Sequence, residues 1–242
     1  MGTAPLRLAH RGDWRVAPEN TMEALLAAMR IPGCDGVEFD VRMSADGIPV
    51  LLHDETLARV QRRPGRVDRM RAADLAAEGV PSLAEVLATL PPDAFLDVEL
   101  KGEGHGDATS EVLVAARGTA GMRAVVSSFD PLSLASMADR LPGWDRWLIA
   151  DDLSAGTMSL ALGLGCSCVA VLWAGLTPGR IRGAREAGLD VAAWTVRRPA
   201  TFERLGRLGV VACCVEAGAL DGQARRGIGP PARRPAVRQA ER

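Results

Sequence analysis

Four apolar runs in the first 101 residues end in groups that move protons or bind cations. "LRLAH" closes on His10 with Arg11 after it, "GVEFDV" carries Glu38 and Asp40, "IPVLLH" closes on His53-Asp54, and "LDVELK" carries Asp97, Glu99 and Lys101. Side chains alternate along a strand, so residues two apart share a face. Glu38 and Asp40 therefore point one way together, as do Asp97, Glu99 and Lys101. Carboxylates gathered on one side repel one another and are costly to desolvate unless a cation neutralises them. Oxygen ligands select a hard divalent ion, Mg²⁺ or Ca²⁺. Two imidazoles flanking such a site can serve as general base and general acid.

Taken singly, each acidic pair also fits a solvated strand face or pairing with arginines on neighbouring helices. The coincidence of two acidic strand ends with two strand-end histidines favours a reactive site. The third histidine, His105 in the glycine-rich "KGEGHG", reads as an ordinary surface or satisfied core residue. Lys101 is the single lysine among 29 Lys plus Arg. Where arginine supplies the generic surface cation, an isolated lysine beside Glu99 points to a local need for a compact ammonium.

The elements that must hold these groups form an alternating pattern. Strand candidates lie at 6–10, 36–41, 94–100, 124–129, 146–150, 167–173, 190–196 and 212–217. Helix candidates with starting signals are "ENTMEALLAAM", "SLAEVLATL", "DPLSLASMADRL", "TPGRIRGAREAG" and "PATFERLGRLG". Asn20 reads as the N-cap of the first helix, with Glu23 placed to complete a capping box. Residues 48–53 follow the second strand after only "SADG", which suits a hairpin and not a helical crossover. Residues 55–80 read as a loop with one short helix. The expected fold is α/β: a (β/α)₈ TIM barrel with a small β-hairpin addition after the second strand, the reacting groups lying at the C-terminal strand ends. A doubly wound open sheet is the alternative.

The expected division is a barrel over residues 1–222 and a disordered basic tail over 223–242. That tail holds six arginines against Glu241, so residues 1–222 carry −6 of a formal net charge of −1. No strong overall field draws the chain to nucleic acid. No apolar run approaches a bilayer-spanning length, and the N-terminus lacks a signal-peptide pattern. A cytoplasmic enzyme without a stable membrane anchor is expected, the basic tail being suited at most to weak contact with an anionic membrane. The five cysteines are odd in number, lack metal-site spacing and sit in apolar runs, as core residues do.

With these residues assembled, the chain resembles the glycerophosphodiester phosphodiesterase family. The resemblance is carried by "AHRGDWRVAPENTMEALLAA", "GVEFDVRMSADGIPVLLHDETLAR", "VPSLAEVL", "LDVELKGEG" and, more weakly, "SSFDP" and "AWTVRRP", in order over residues 8–198. It implies a barrel and metal-dependent cleavage of glycerophosphodiesters into glycerol 3-phosphate and an alcohol. On that resemblance His10 and His53 look like the acid/base pair and Glu38, Asp40 and Glu99 like the ligands of one divalent cation. Arg11 and Lys101 fall on phosphate-contacting positions, and Glu19 looks like an outer partner of the cation. Phe129, Trp173 and Trp194 sit where strand ends can wall the mouth against a small-molecule substrate. The attacking group is water or the glycerol's own neighbouring hydroxyl. Two departures stand out: the last strand ends in "VEAG" where the family usually has a Thr-Asp-x-Pro-like segment, and Ser44 replaces the common threonine of the hairpin turn. The alternatives are a lysophospholipase D-type enzyme with an apolar mouth, and a catalytically silent phosphodiester-binding barrel.

Overall fold

A computed structural model of the protein describes residues 4–221. Within them the strands are β1 Leu6–His10, β2 Gly36–Met43, β3 Pro49–Leu51, β4 Phe95–Leu100, β5 Ala124–Ser128, β6 Asp145–Ala150, β7 Cys168–Leu172, β8 Asp190–Val196 and β9 Ala212–Val215. Their order is β1-β9-β8-β7-β6-β5-β4-β2, and β1 also pairs with β2, so eight strands close into a ring. Every pairing in the ring is parallel. Strand β3 lies outside it, antiparallel to β2, because the turn between them is too short for a crossover. The fold is the expected (β/α)₈ barrel with its hairpin addition. The anticipated basic tail, 223–242, lies outside the described residues.

Two apolar layers follow from strand alternation. Val37, Phe39 and Val41 of β2 and Leu96, Val98 and Leu100 of β4 face outward beneath the helices. Leu6, Leu8, Val125, Trp147, Ile149, Cys168, Ala170, Ala192 and Ala212 fill the barrel interior. Each fully buried large side chain contributes about 1.5–3 kcal/mol. A third cluster, Val50, Leu52, Leu57, Val67, Leu75 and Val80, consolidates residues 55–80 around a 3₁₀ turn, Val67–Arg69, and helix α2, Ala72–Ala77.

The remaining helices are α1 Met22–Met29, α3 Leu83–Thr89, α4 Asp107–Arg117, α5 Pro131–Arg140, α6 Ala155–Gly163, α7 Pro178–Glu186 and α8 Pro199–Leu208. Asp130 caps α5 by accepting from the Leu132 and Ser133 amides, and Ser82 with Glu85 forms a capping box on α3. Helices α4 and α6 had no counterpart among the sequence candidates. Helix α4 starts at Gly106 without a side-chain cap, and α6 buries only Ala161 while Leu160 and Leu162 are exposed, so its apolar residues make no stripe.

One expectation is corrected at α1. Its N-cap is Thr21, whose hydroxyl accepts from the Ala24 amide, and Asn20 instead turns inward to the barrel. The helix itself docks on Gly12, which has φ +85° and where a Cβ would lie 2.6 Å from the Ala24 carbonyl carbon. No described helix is long and apolar enough to cross a membrane. Gly12→Ala combines backbone strain with overpacking and should destabilise the protein by about 1–3 kcal/mol, read as a lowered denaturant midpoint at unchanged slope.

Candidate active site

Strand register brings the polar strand ends together. His10 pairs with Glu38 across β1 and β2, and Asp40 pairs with Glu99 across β2 and β4. One oxygen from each of Glu38, Asp40 and Glu99 lies within 4.8 Å of the others, and all three residues are buried. Glu38 Oε1, Asp40 Oδ1 and Glu99 Oε1 each lack a hydrogen-bond partner among the described residues. Three convergent, desolvated carboxylates suit a hard divalent cation. Asp97, one step below Glu99, is outside this triangle. It accepts from Ser127 Oγ at 2.5 Å and from the Cys214 thiol at 3.9 Å.

Positive groups crowd the same carboxylates. Arg11 Nε is 3.0 Å from Asp40 Oδ2, and Lys101 Nζ is 2.5 Å from Glu99 Oε1 and 3.5 Å from Asp40 Oδ1. Arg11 Nε and Glu99 Oε1 are nonetheless without a well-aligned hydrogen bond, so these contacts act as charge pairs. Asn20 completes the shell: its Nδ2 donates to Asp40 Oδ2 at 2.8 Å and its Oδ1 accepts from the Asp40 amide at 3.2 Å. Arg11 and Asn20 both have φ +58°, a rare conformation for residues with a Cβ that turns the β1–α1 loop over the site.

Each strand-end histidine has Nδ1 tied to a carboxylate. His10 Nδ1 lies 2.5 Å from Glu216 Oε1, and His53 Nδ1 lies 2.6 Å from Asp54 Oδ1. His10 Nε2 is 3.8 Å from Glu38 Oε2. Arg59 bonds both Asp54 and Glu19, and Glu19 in turn accepts from Arg11 Nη1 at 2.9 Å. Among the described residues Arg11 links Glu19 to Asp40.

The opposite side of the mouth is apolar. Phe129 and Trp194 meet edge to face with ring centroids 5.7 Å apart, and Lys101 Nζ sits 5.4 Å from the Phe129 centroid. Trp173 does not join them. It opens a 3₁₀ turn, packs against the outer core and has Arg204 of α8 over its ring at 5.9 Å. Leu172, which shares the inward alternation of Cys168 and Ala170, stands at the mouth instead, paired in register with Trp194. His105 is buried, with Nε2 at 3.1 Å from the Lys101 carbonyl. Among the cysteines, Cys166, Cys168, Cys213 and Cys214 are buried and Cys34 is partly so, all as free thiols.

Glu216 was missed as a site residue in the sequence, where "VEAG" registered only as a departure. The signal was present: Ala212, Cys214 and Glu216 share the inward face of the last strand, the same alternation that groups Glu38 with Asp40. Ser44, the other departure, closes the hairpin turn by accepting from the Ile48 amide and donating to Asp46.

Known proteins share this architecture and sequence pattern. The sequence model of the glycerophosphoryl diester phosphodiesterase family matches residues 10–217. The glycerophosphodiester phosphodiesterase of Caldanaerobacter subterraneus subsp. tengcongensis is 29% identical over 222 residues, covering 85% of this chain and 91% of its own. A glycerophosphodiester phosphodiesterase crystal structure from Agrobacterium tumefaciens superposes with a TM-score of 0.77 at 27% identity, covering 90% of this chain and 98% of its own. A phosphodiesterase from Oleispira antarctica, in complex with the product sn-glycerol-3-phosphate, gives 0.76 at 26% identity over 88% of this chain and 93% of its own.

The electrostatics of the cation-free site are unfavourable to charge. Burial, then the neighbouring Asp40, pushes Glu99 up to about 7 despite Lys101, and burial with Asp40 and Glu99 pushes Glu38 up as well. Burial lifts Asp97 to about 6 against its bonds from Ser127 and Cys214. In contrast, Arg59 with His53 holds Asp54 down at about 2. Burial opposes ionisation of Glu19, but Arg59 and Arg11 outweigh it and bring Glu19 to about 2. Burial lowers the His53 pKa against the pull of Asp40 and Asp54.

The raised carboxyls hold protons that the unfolded chain has already lost above about pH 4.5, so folding stability contributed by them falls as pH rises towards 7. The depressed carboxyls keep their stabilisation above about pH 4.5 and lose it only below. His53 and His105, both lowered by burial, gain stability as pH rises to about 6.5, two groups against three raised carboxyls. The cation-free protein should accordingly melt at a higher temperature at about pH 5.5 than at about pH 7.5, measured calorimetrically. Glu99→Gln should narrow that difference.

Proposed function

The chain belongs to the glycerophosphoryl diester phosphodiesterase family and is a phosphoric diester hydrolase; on that premise we propose that it cleaves glycerophosphodiesters to glycerol 3-phosphate and an alcohol by cation-dependent His10/His53 acid-base catalysis. The observation that carries this reading is the meeting of three buried, convergent carboxylates with two imidazoles, a guanidinium and an ammonium at the strand ends.

Glu38, Asp40 and Glu99 would hold one Mg²⁺ or Ca²⁺. Bound there, the ion supplies positive charge against the phosphoryl oxygens. Arg11 and Lys101 stand beside those ligands and bind the remaining phosphoryl oxygens, stabilising the charge that grows in the transition state. One histidine takes the proton of the attacking hydroxyl at Nε2 and the other delivers a proton to the departing alkoxide. Tying each Nδ1 to a carboxylate leaves both Nε2 atoms for this work. Phe129 and Trp194 offer apolar surface to the carbon skeleton of the substrate. Residues 1–222 suffice for this chemistry in our reading.

A lysophospholipase D-type activity is the second reading, favoured by Phe129 and Leu172, exposed at the ends of β5 and β7, and by Leu132, exposed at the start of α5. Turnover of glycerophosphocholine against its lysolipid, with and without residues 223–242, separates the two.

Release of glycerol 3-phosphate from a panel of glycerophosphodiesters should stop with EDTA and resume with added Mg²⁺ or Ca²⁺; activity surviving exhaustive chelation would remove the cation from the mechanism. His10→Ala and His53→Ala should each reduce kcat by about 10²-fold or more in a folded protein, and near-normal turnover excludes the histidine concerned. Lys101→Arg keeps the charge but widens it, and should cut kcat/KM by about tenfold or more; wild-type kinetics would show that compactness at this position does not matter.

A further inference from the structure

Glu216 enters the chemistry described so far only as the carboxylate at His10 Nδ1, yet its surroundings fix it tightly. Parallel pairing of β9 with β1 sets Val215 beside Ala9, so the residues that follow, Glu216 and His10, are neighbours at the barrel mouth. Glu216 is buried, its Oε1 lies 2.5 Å from His10 Nδ1, and its Oε2 accepts from Arg197 Nε at 2.7 Å. Its backbone is held as well. The Glu216 amide donates to the Val196 carbonyl at 2.9 Å, and the Ala219 amide donates to the Arg197 carbonyl at 3.1 Å. Directly after it, Ala217 turns the chain with φ +50°, and Arg15 grips Asp221 at 2.9 and 3.0 Å. A non-glycine residue held in that conformation next to a reactive strand end marks a constrained position.

We propose that Glu216 is a positioning residue that, anchored by Arg197, holds His10 in the tautomer protonated at Nδ1 and so presents Nε2 to the phosphodiester. An ionised carboxylate only accepts hydrogen bonds, so Nδ1 must donate and the neutral ring carries its lone pair on Nε2. Nε2 is the atom that faces the carboxylate triangle, 3.8 Å from Glu38. Arg197, a donor only, makes the arrangement selective for a carboxylate between itself and the ring. The "VEAG" segment thus supplies the acid that orients the ring. The proposal rests on reading His10 as an acid/base group.

Glu216→Gln tests it sharply. Arg197 draws the amide oxygen, the amide nitrogen then faces Nδ1 as a donor, and His10 is driven to the Nε2-protonated tautomer. The expected result in the full-length, Mg²⁺-saturated protein is a fall in kcat of about 10²-fold or more with KM within about threefold of wild type. Adding Arg197→Ala frees the amide to rotate and should restore about tenfold of the loss. Long-range ¹H–¹⁵N spectra resolve this directly, because the chain has 3 histidines. Above the ring's titration, wild-type His10 should show a proton on Nδ1, and the glutamine variant one on Nε2.

Three results overturn the proposal: a wild-type proton on Nε2, an unchanged tautomer in the variant, or a variant kcat within about threefold of wild type while His10→Ala is inactive. The wild-type spectrum keeps the test open should the variant fold poorly. An active His10→Ala would instead bring down the acid/base reading, and the positioning role with it.

Discussion

Three carboxylates confined within 4.8 Å inside a barrel mouth set the terms for the rest of the molecule. At an effective dielectric constant of about 20, each ionised pair at that separation costs about 3.5 kcal/mol, before any cost of desolvation. Such a cluster persists only if positive charge is delivered close by or the groups stay protonated. The protein does some of each. Arg11, Lys101 and the Asn20 amide group lean on Asp40 and Glu99, while the cation-free Glu38 and Glu99 shift toward protonation. Even with Arg11 and Lys101 beside them, three carboxylates converge within 4.8 Å of one another, which is the form of a cation site.

The barrel divides the labour by element type. Acidic groups come from strands β2 and β4, whose positions are locked by the parallel ladder, so their mutual repulsion cannot spread them apart. Arg11 and Glu19 come from the β1–α1 loop and Asp54 and Arg59 from the segment after β3, where backbone freedom allows the unusual φ of Arg11 and Asn20. The β5, β7 and β8 ends supply Phe129, Leu172 and Trp194 and carry none of the charged groups around the triangle. A polar cluster thus faces an apolar wall, which on the proposed function would give a phosphodiester charge contacts on one side and apolar surface on the other.

Strand parity made much of this visible in the sequence. Eight strands, the hairpin and the shared face of Glu38 with Asp40 follow from alternation and turn length, quantities that a linear chain displays. The failures have equally local causes. Asn20 and Thr21 are both good cap residues, and the choice between them depends on Asp40, twenty residues away, which claims the asparagine side chain. Trp173 was misplaced because β7 ends at Leu172 and the chain turns into a 3₁₀ helix, which resets the alternation. Helix α4 begins without a cap, so no residue announces it.

The distribution of arginine and lysine follows from what each cation is asked to bridge. Arg59 joins Glu19 to Asp54, Arg15 joins Asp13 to Asp221, and Arg11 joins Asp40 to Glu19. Each uses separate nitrogens of a rigid fork to tie two carboxylates on different segments, which a single ammonium does less well. Lys101 has a different task. Its two carboxylate neighbours, Asp40 and Glu99, already face one another across paired strands, and on the proposed function the space beside them would also admit a phosphoryl group and a cation. A planar guanidinium is broader there, whereas a point charge on a flexible stem balances the acids from one side. The single lysine in a chain of arginines therefore stands where one compact ammonium serves two carboxylates that the sheet has already brought together.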